Sequence, residues 1–261
     1  MFFKNDEFEL IKKETSFLYW WQPKSRLRVI PRAMNVGDAL SAYIVWHVIQ
    51  EKKIKLVSGE NKLLSIGSIL NHANTGDTLW GTGFNSNKTD TDYDFANLTV
   101  CAVRGPCTKK FLENKGISCP AIYGDPGLLT SRYFAQAAKQ DIDLLVIPHY
   151  SESKTKYSAK HVLETKGSVP KFIDKLTRAK KVVSSSLHGI IMAESYGIPA
   201  ILLKNANGEG EEKYHDYYQG TGRFEFPICS TLKEAMSSTP CELPDIKKIQ
   251  QDLINSFPNS L

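Results

Sequence analysis

The sequence lacks the patterns that mark several common protein classes. Its five cysteines are odd in number and include no C-x-x-C pair, which argues against a disulfide framework and a zinc ribbon. No apolar run approaches the ~20 residues that cross a bilayer. There is no HExxH motif, EF-hand loop or Walker loop, so no metal or nucleotide cofactor is expected.

Composition places the chain among ordinary globular proteins. Its 261 residues are 41% hydrophobic and 23% charged, which excludes a disordered or fibrous chain. The first nine residues carry three acids and do not resemble a signal peptide, so a cytoplasmic location is expected. The net charge of +5 favours an anionic substrate or an anionic membrane surface. Because the basic residues are spread along the chain, no nucleic-acid partner is expected.

Short apolar runs alternate with segments of helical period, a pattern typical of parallel sheets covered by helices on both faces. One helical segment, 38–53, places Leu40, Ile44, Val45, Val48 and Ile49 on one face. The pattern restarts near 130–140, which predicts two Rossmann-like lobes, 1–132 and 133–261, with the last helix packing back on the first lobe. The strands are expected at 16–21, 53–58, 62–70, 77–83, 98–105, 141–149, 181–186 and 198–204, and the helices at 38–53, 106–116, 169–180, 188–197 and 245–257.

Polar turns follow several of these strands, where parallel sheets bind ligands. Asp38 follows Asn35 and Gly37 and either caps a helix or carries function. Arg104, between a strand and a helix, either binds phosphate or carboxylate or forms a salt bridge between the lobes. His188 follows a serine run at a helix start, where an imidazole either has a structural role or faces a bound anion.

Weaker candidates lie in the remaining turns. Gly83 follows a strand and suits close backbone approach to a ligand, although such glycines are often only turns. Asp125 lies in a turn between the predicted lobes. His149 ends a strand and either faces the cleft or caps the sheet. Tyr214 belongs to a run of polar aromatics, 213–218, that either stacks on a sugar or covers a surface helix.

In chain order these turns resemble the polysaccharide pyruvyl transferase family over residues 16–225, through NVGDAL, GSIL, WGTGF, AVRGPCT, YGDPGLL, IPHY and SSSLHGIIMAESYGIPAI. The resemblance implies a GT-B-like arrangement of the two lobes. It also implies transfer of a pyruvyl group from phosphoenolpyruvate to sugar hydroxyls as a ketal, in the synthesis of exopolysaccharide, capsule or another surface glycan. No cofactor beyond this co-substrate is implied.

The resemblance also assigns roles to residues. It makes Asp38 the base or a ligand of the acceptor hydroxyl, and Arg104 and His188 ligands of the donor. Protonation of the enol carbon of phosphoenolpyruvate requires an acid, for which His188 is the natural choice. Ser186 occupies the position of an expected arginine, a loss for which Lys204 or Arg223 would compensate. The other implied donor-side residues are Leu187 and Gly189, and the acceptor side comprises Asn35, Gly37, Gly83, Asp125, His149 and Tyr214.

The implied acceptor is a saccharide linked to a polyprenyl diphosphate at the inner face of the cell membrane. A basic segment is compatible with such peripheral contact, since each basic residue near an anionic surface contributes ~1 kcal/mol; an ordinary solvated loop is the alternative. Its basic residues are Lys24, Arg26, Arg28 and Arg32.

Two other functions fit the same pattern. A GT-B glycosyltransferase using a nucleotide sugar would have similar lobes, although 261 residues is short for one. A non-catalytic sugar-binding or assembly protein would keep the fold without turnover, and Ser186 in place of arginine favours it.

Overall fold

Two parallel sheets organise the molecule. The computed structural model describes residues 5–22, 33–56, 59–205 and 210–260, so the basic segment with Lys24, Arg26, Arg28 and Arg32 lies outside the described residues. Each sheet has four parallel strands in chain order. The first contains β1 (Leu18–Tyr19), β2 (Leu63–Leu64), β3 (Thr78–Trp80) and β4 (Thr99–Ala102), and the second β5 (Leu145–Ile147), β6 (Val182–Ser184), β7 (Ala200–Leu203) and β8 (Ile228–Cys229).

Helices connect and cover these strands. They are α1 (Asn5–Glu14), α2 (Val36–Lys52), α3 (Pro106–Asn114), α4 (Thr130–Tyr133), α5 (Val169–Leu176), α6 (Leu187–Ser195), α7 (Glu212–Gly220), α8 (Leu232–Ser237) and α9 (Ile246–Ser256). Short 3₁₀ helices occupy Leu70–His72, Asp90–Asp92, Pro126–Leu129 and Lys154–Lys156. The predicted α/β class with parallel sheets is confirmed, and the arrangement is consistent with two Rossmann-like lobes. The GT-B likeness and the limits 1–132 and 133–261 stay predictions.

The central strands of the second sheet lie in the core, with α6 and α8 packed against β6 and β7. Every residue of β5, β6 and β7 is buried, which explains why these strands read as continuous apolar runs rather than alternating ones. Among the described residues no helix is long and apolar enough to cross a membrane.

The long helix α2 is buried on nearly all sides. The residues predicted to form one apolar face are buried, but so are Ala39, Ala42 and Tyr43 around them. The reason is its position: α2 packs against α1, against α5 of the second half, and against the 3₁₀ helix Pro126–Leu129.

One predicted strand is wrong. Residues 53–58 were expected to form a strand, but α2 ends at Lys52, and Lys53 adopts the left-handed conformation that closes the helix. In the described part of this segment only Lys55 pairs, through a single bridge to Ser260. The helix α1, the strand β8 and the helix α8 were not predicted.

The C-terminal helix α9 lies against the first sheet. The indole Nε1 of Trp80 in β3 donates to the carbonyl of Leu253 at 2.9 Å, and its ring meets Phe257 edge-on at 4.7 Å between centroids. Lys52 Nζ donates to the carbonyls of Ile254 and Phe257 at 3.0 and 3.1 Å. The last residues of the chain therefore complete the core beside the first sheet.

Candidate active site

A cavity of about 470 Å³, called the cleft below, opens where the strand ends of both sheets meet. Loops that follow β1 to β4 line one side, and loops that follow β5 and β6 line the other. This is the edge at which parallel sheets bind ligands. The lining brings together seven residues predicted from the sequence: Asn35, Asp38, Arg104, His149, Ser186, Leu187 and His188.

Asp38 presents its carboxylate to the cleft because another residue caps its helix. Asn35 is the N-cap of α2, and its Oδ1 accepts a hydrogen bond from the Gly37 amide at 3.1 Å. Asp38 therefore lies in the first turn without the capping duty that the sequence offered as its structural role. It is 8% exposed.

Burial controls the protonation of this carboxyl group. Burial raises the pKa of Asp38 to about 6, and the nearby Asp125 acts in the same direction. His188, a hydrogen bond from Asn35 and the charge of Lys213 act in the opposite direction and lower that pKa. A carboxyl group that titrates near neutral pH suits a residue that accepts a proton and releases it again.

His188 lies in the first turn of α6, two residues after the N-cap Ser186. Its side chain is 14% exposed, and its Nε2 lies 3.7 Å from Oδ2 of the buried Asp125. The ring also lies against Gly37, where a Cβ would come within 3.0 Å of three His188 side-chain atoms. Gly37 thus serves the cleft by leaving room for the imidazole beside Asp38.

Arg104 is a buried guanidinium at the floor of the cleft. Its Nε donates to Asp216 Oδ2 at 3.0 Å, its Nη1 to Ser68 Oγ at 2.7 Å and its Nη2 to the Phe84 carbonyl at 3.4 Å. A Cβ on Gly83 would overlap the guanidinium, so this glycine makes room for it. Arg104 therefore lines the cleft and pairs with a carboxylate of α7 in the second half, while its binding of a phosphate or carboxylate stays a prediction.

The two cations suggested as substitutes for an arginine at position 186 are engaged elsewhere. Lys204 Nζ pairs with Glu211 at 2.7 Å, and the lining of the cleft does not include Lys204. Both terminal nitrogens of Arg223 donate to buried Glu194, at 2.7 and 2.8 Å. Lys213 of α7 lines the cleft instead. Lys213 is the first residue of the aromatic run 213–218, from which the sequence predicted a tyrosine as the binding residue.

Several predicted binders lie outside the lining. Tyr214 is 1% exposed and its hydroxyl donates to the Ser185 carbonyl at 2.7 Å, so it packs beneath the cleft rather than along it. Asp125 is fully buried behind His188. Gly189 lies where α6 approaches the second sheet, and a Cβ there would collide with Ser184 and Ile147. His149 does line the cleft, with its Nδ1 2.8 Å from Ser151 Oγ.

The sequence reading missed the aromatic walls of the cleft. Trp21 meets Tyr150 edge-on at 5.9 Å, and the Tyr150 hydroxyl donates to the Ala33 carbonyl at 3.1 Å. Phe84 lies on the opposite side, stacked on Phe111 at 5.3 Å. Their signal was their position directly after strands. In the described part of the chain, no cluster of three or more His, Cys, Asp or Glu side chains is arranged to hold a metal ion.

Comparison with known proteins adds a family match and one viral relative. A family model described as polysaccharide pyruvyl transferase matches residues 35–207, a range that contains Asp38, Arg104, Asp125 and His188. The uncharacterized protein L143 of Acanthamoeba polyphaga mimivirus is 25% identical over 227 residues, which cover 78% of each chain. No solved structure matches.

Proposed function

This chain belongs to the polysaccharide pyruvyl transferase family, and we propose on that premise that it moves a pyruvyl group from phosphoenolpyruvate onto two hydroxyls of a sugar as a cyclic ketal. Family membership indicates pyruvylation in polysaccharide biosynthesis; the donor, the acceptor and the roles of individual residues are part of the proposal. The observation that carries it is the meeting of Asp38, Arg104 and His188, from three separate elements, at one cleft.

Phosphoenolpyruvate needs two anion-binding groups, one for its phosphate and one for its carboxylate. Arg104 offers Nη1 and Nη2 on the side away from Asp216. The N-terminus of α6, at Leu187 and His188, adds backbone amides and the positive end of a helix dipole. Lys213 brings a further positive charge to the cleft. In this arrangement Lys213 supplies the charge that Ser186 lacks.

The proposed chemistry uses one acid and one base. His188 donates a proton to the terminal enol carbon of phosphoenolpyruvate, which becomes a methyl group. A sugar hydroxyl then adds to the adjacent carbon and gives its proton to Asp38. Phosphate leaves with its bonding electron pair, a second hydroxyl adds at the same carbon, and loss of its proton closes the ketal. A base with a pKa of about 6, as burial gives Asp38, matches this duty near neutral pH.

We place the acceptor sugar between the aromatic walls of the cleft. Trp21, Tyr150 and Phe84 line the cleft and present faces or edges on which the apolar face of a pyranose packs. Asn71, Asn85 and Asn87 lie in the same lining and offer amides to its hydroxyls. A polyprenyl-diphosphate carrier, with peripheral contact at the inner face of a membrane, remains our proposal for what bears this sugar.

The test is phosphate release from phosphoenolpyruvate across a panel of hexose acceptors. Wild-type protein is expected to release phosphate only when a suitable acceptor is present, and His188→Ala to lose orders of magnitude of that rate while remaining folded. His161→Ala, a histidine outside the lining of the cleft, serves as the matched control with near wild-type turnover. If His188→Ala turns over at near the wild-type rate, the role given to the imidazole is wrong.

Thermal shift distinguishes the competing functions. Stabilisation by a ligand follows RT ln(1 + [L]/Kd), so a selective rise in Tm identifies the donor. A rise with phosphoenolpyruvate supports pyruvyl transfer, whereas a rise with UDP- or GDP-sugars alone overturns it in favour of a glycosyltransferase. Acceptor binding without phosphate release, with both substrates present, overturns it in favour of a sugar-binding protein.

A further inference from the structure

Behind the cleft, a buried carboxylate faces the hidden nitrogen of His188. Asp125 is fully buried, and its Oδ1 accepts a hydrogen bond from the Gly127 amide at 2.8 Å, which caps the 3₁₀ helix Pro126–Leu129. Its other oxygen, Oδ2, lies 3.7 Å from His188 Nε2. One oxygen therefore holds the turn, and the other points at the imidazole.

Both facing atoms are buried and unsatisfied. Neither Asp125 Oδ2 nor His188 Nε2 has a hydrogen-bond partner among the described residues. Buried polar atoms are almost always paired, because an unpaired one loses its hydration without compensation. At 3.7 Å the two atoms are about 0.8 Å too far apart for a normal hydrogen bond. Catalytic hydrogen bonds are often long without substrate and shorten when it binds.

We propose that Asp125 is a positioning residue for His188: it accepts the proton on Nε2 and thereby makes Nδ1 the nitrogen that exchanges protons in the cleft. Nε2 is buried against Asp125, so it cannot reach a substrate. Nδ1 lies beside Gly37, where the absence of a Cβ leaves room for the ring, and of the two ring nitrogens only Nε2 is a buried atom without a partner. A carboxylate that holds one imidazole nitrogen fixes both the tautomer and the ring orientation, and stabilises the ring when it is protonated.

Other charged side chains lie near the Asp125–His188 pair, but none of them faces the buried nitrogen of His188. Asp38 on α2 interacts with His188 from the cleft side, and Lys213 on α7 interacts with Asp38. Arg104 also lines the cleft, but Asp216 holds its Nε. Of these groups, Asp125 is the one that lies within 4 Å of a His188 nitrogen on the buried side.

This inference rests on the proposed function, but its first test needs no turnover. Nitrogen chemical shifts and long-range ¹H–¹⁵N correlations in ¹⁵N-histidine-labelled full-length protein report which ring nitrogen carries the proton. The spectra are recorded at increasing pH until the ring nitrogen shifts no longer change, so that the neutral ring is observed. We expect the His188 proton on Nε2, both alone and with phosphoenolpyruvate added. A proton on Nδ1 in the wild type overturns the proposal.

Asp125→Asn provides the second test. Its oxygen can still accept from the Gly127 amide, but its NH₂ group then donates toward His188 Nε2 and drives the proton to Nδ1. We expect this tautomer change, together with a fall in kcat of at least 100-fold and a KM for phosphoenolpyruvate within about threefold of wild type. Retention of Nε2–H in this variant, or unchanged kcat in an active enzyme, overturns the proposal.

The matched control is Asp77→Asn. Asp77 is also buried, and its two oxygens accept from the amides of Lys62 and Asn74 at 2.7 and 2.8 Å, away from the cleft. We expect it to lower the Tm but to leave the His188 tautomer and kcat unchanged. If wild-type protein shows Nε2–H but never releases phosphate, the proposed function fails while the Asp125–His188 pair stands.

Discussion

The ion pair between Arg104 and Asp216 gives the sharpest test of how the cleft is built. Asp216 on α7 is fully buried, and its carboxylate accepts from Arg104 Nε at 3.0 Å. It also accepts from the Thr108 amide at 3.0 Å and the Thr108 hydroxyl at 2.6 Å. The perturbation is Asp216→Asn, which preserves the shape of the side chain and removes its charge.

The expected loss of stability follows from the burial of the pair. Removing one partner of a buried ion pair costs about 3–5 kcal/mol, because the other charge is left uncompensated. An asparagine oxygen still accepts from Thr108, so we expect the lower end, about 3 kcal/mol. With about 2–4 °C per kcal/mol for a chain of this size, the Tm should fall by roughly 6–12 °C.

A surface ion pair provides the matched control. Asp252 pairs with Lys248 at 2.7 Å on α9, where both side chains are well exposed. Exposed pairs contribute about 0–1 kcal/mol, so Asp252→Asn should move the Tm by no more than about 4 °C. If Asp216→Asn and Asp252→Asn unfold at the same temperature, the buried pair does not hold α7 to the first sheet.

The same variant tests whether Arg104 faces the donor. Without Asp216 the guanidinium lacks a carboxylate partner, so an anion in the cleft compensates its charge more than it does in the wild type. We expect phosphoenolpyruvate to raise the Tm of Asp216→Asn by more degrees than that of wild type, compared with sodium chloride at equal ionic strength. Equal shifts in both proteins would contradict a contact between Arg104 and the donor.

Two further predictions concern the charges around the cleft. Burial raises the pKa of Asp38 to about 6, so its ionisation disfavours folding as pH rises from about 4 through 6. Asp38→Asn should therefore raise the free energy of unfolding by about 2–3 kcal/mol at pH 7.5, but not at pH 4, and should abolish turnover. Urea titrations that show no increase in the free energy of unfolding at pH 7.5 would refute this. Lys213→Gln should raise the KM for phosphoenolpyruvate about tenfold, whereas Lys204→Gln, outside the lining, should leave that KM within twofold of wild type. Both KM values are measured from initial rates, and equal changes in the two variants would contradict the role of Lys213.

The sheets and most helices were predictable because their signals are local. Continuous apolar runs predicted β5, β6 and β7, and the spacing of Ile246, Ile249 and Leu253 predicted α9. The burial of α2 on nearly all sides was not predictable, because it depends on helices from both halves of the chain. The run at 53–58 shows the limit of local patterns: its apolar residues suggest a strand, but α2 ends directly before it and Lys53 caps that helix.

The candidate site also has a part that local sequence predicts and a part that depends on packing. Asp38, Arg104 and His188 follow strands in the sequence, and the ends of parallel strands meet, so their shared cleft was predictable. The sequence did not predict which residue of a helix faces that cleft. Lys213 and Tyr214 are neighbours on α7, yet Lys213 lines the cleft while Tyr214 is buried under it. That choice depends on the rotation of α7 about its axis, which its packing on α3 determines.

The contact of α9 with Trp80 also constrains the order in which the protein assembles. The Trp80 indole is completely enclosed, and its acceptor Leu253 and its ring neighbour Phe257 lie 173 and 177 residues further along the chain. During synthesis the first sheet therefore waits, with this tryptophan lacking both partners, until the segment that contains α9 and Phe257 has emerged from the ribosome. A nascent chain must protect that apolar surface throughout the synthesis of the second sheet.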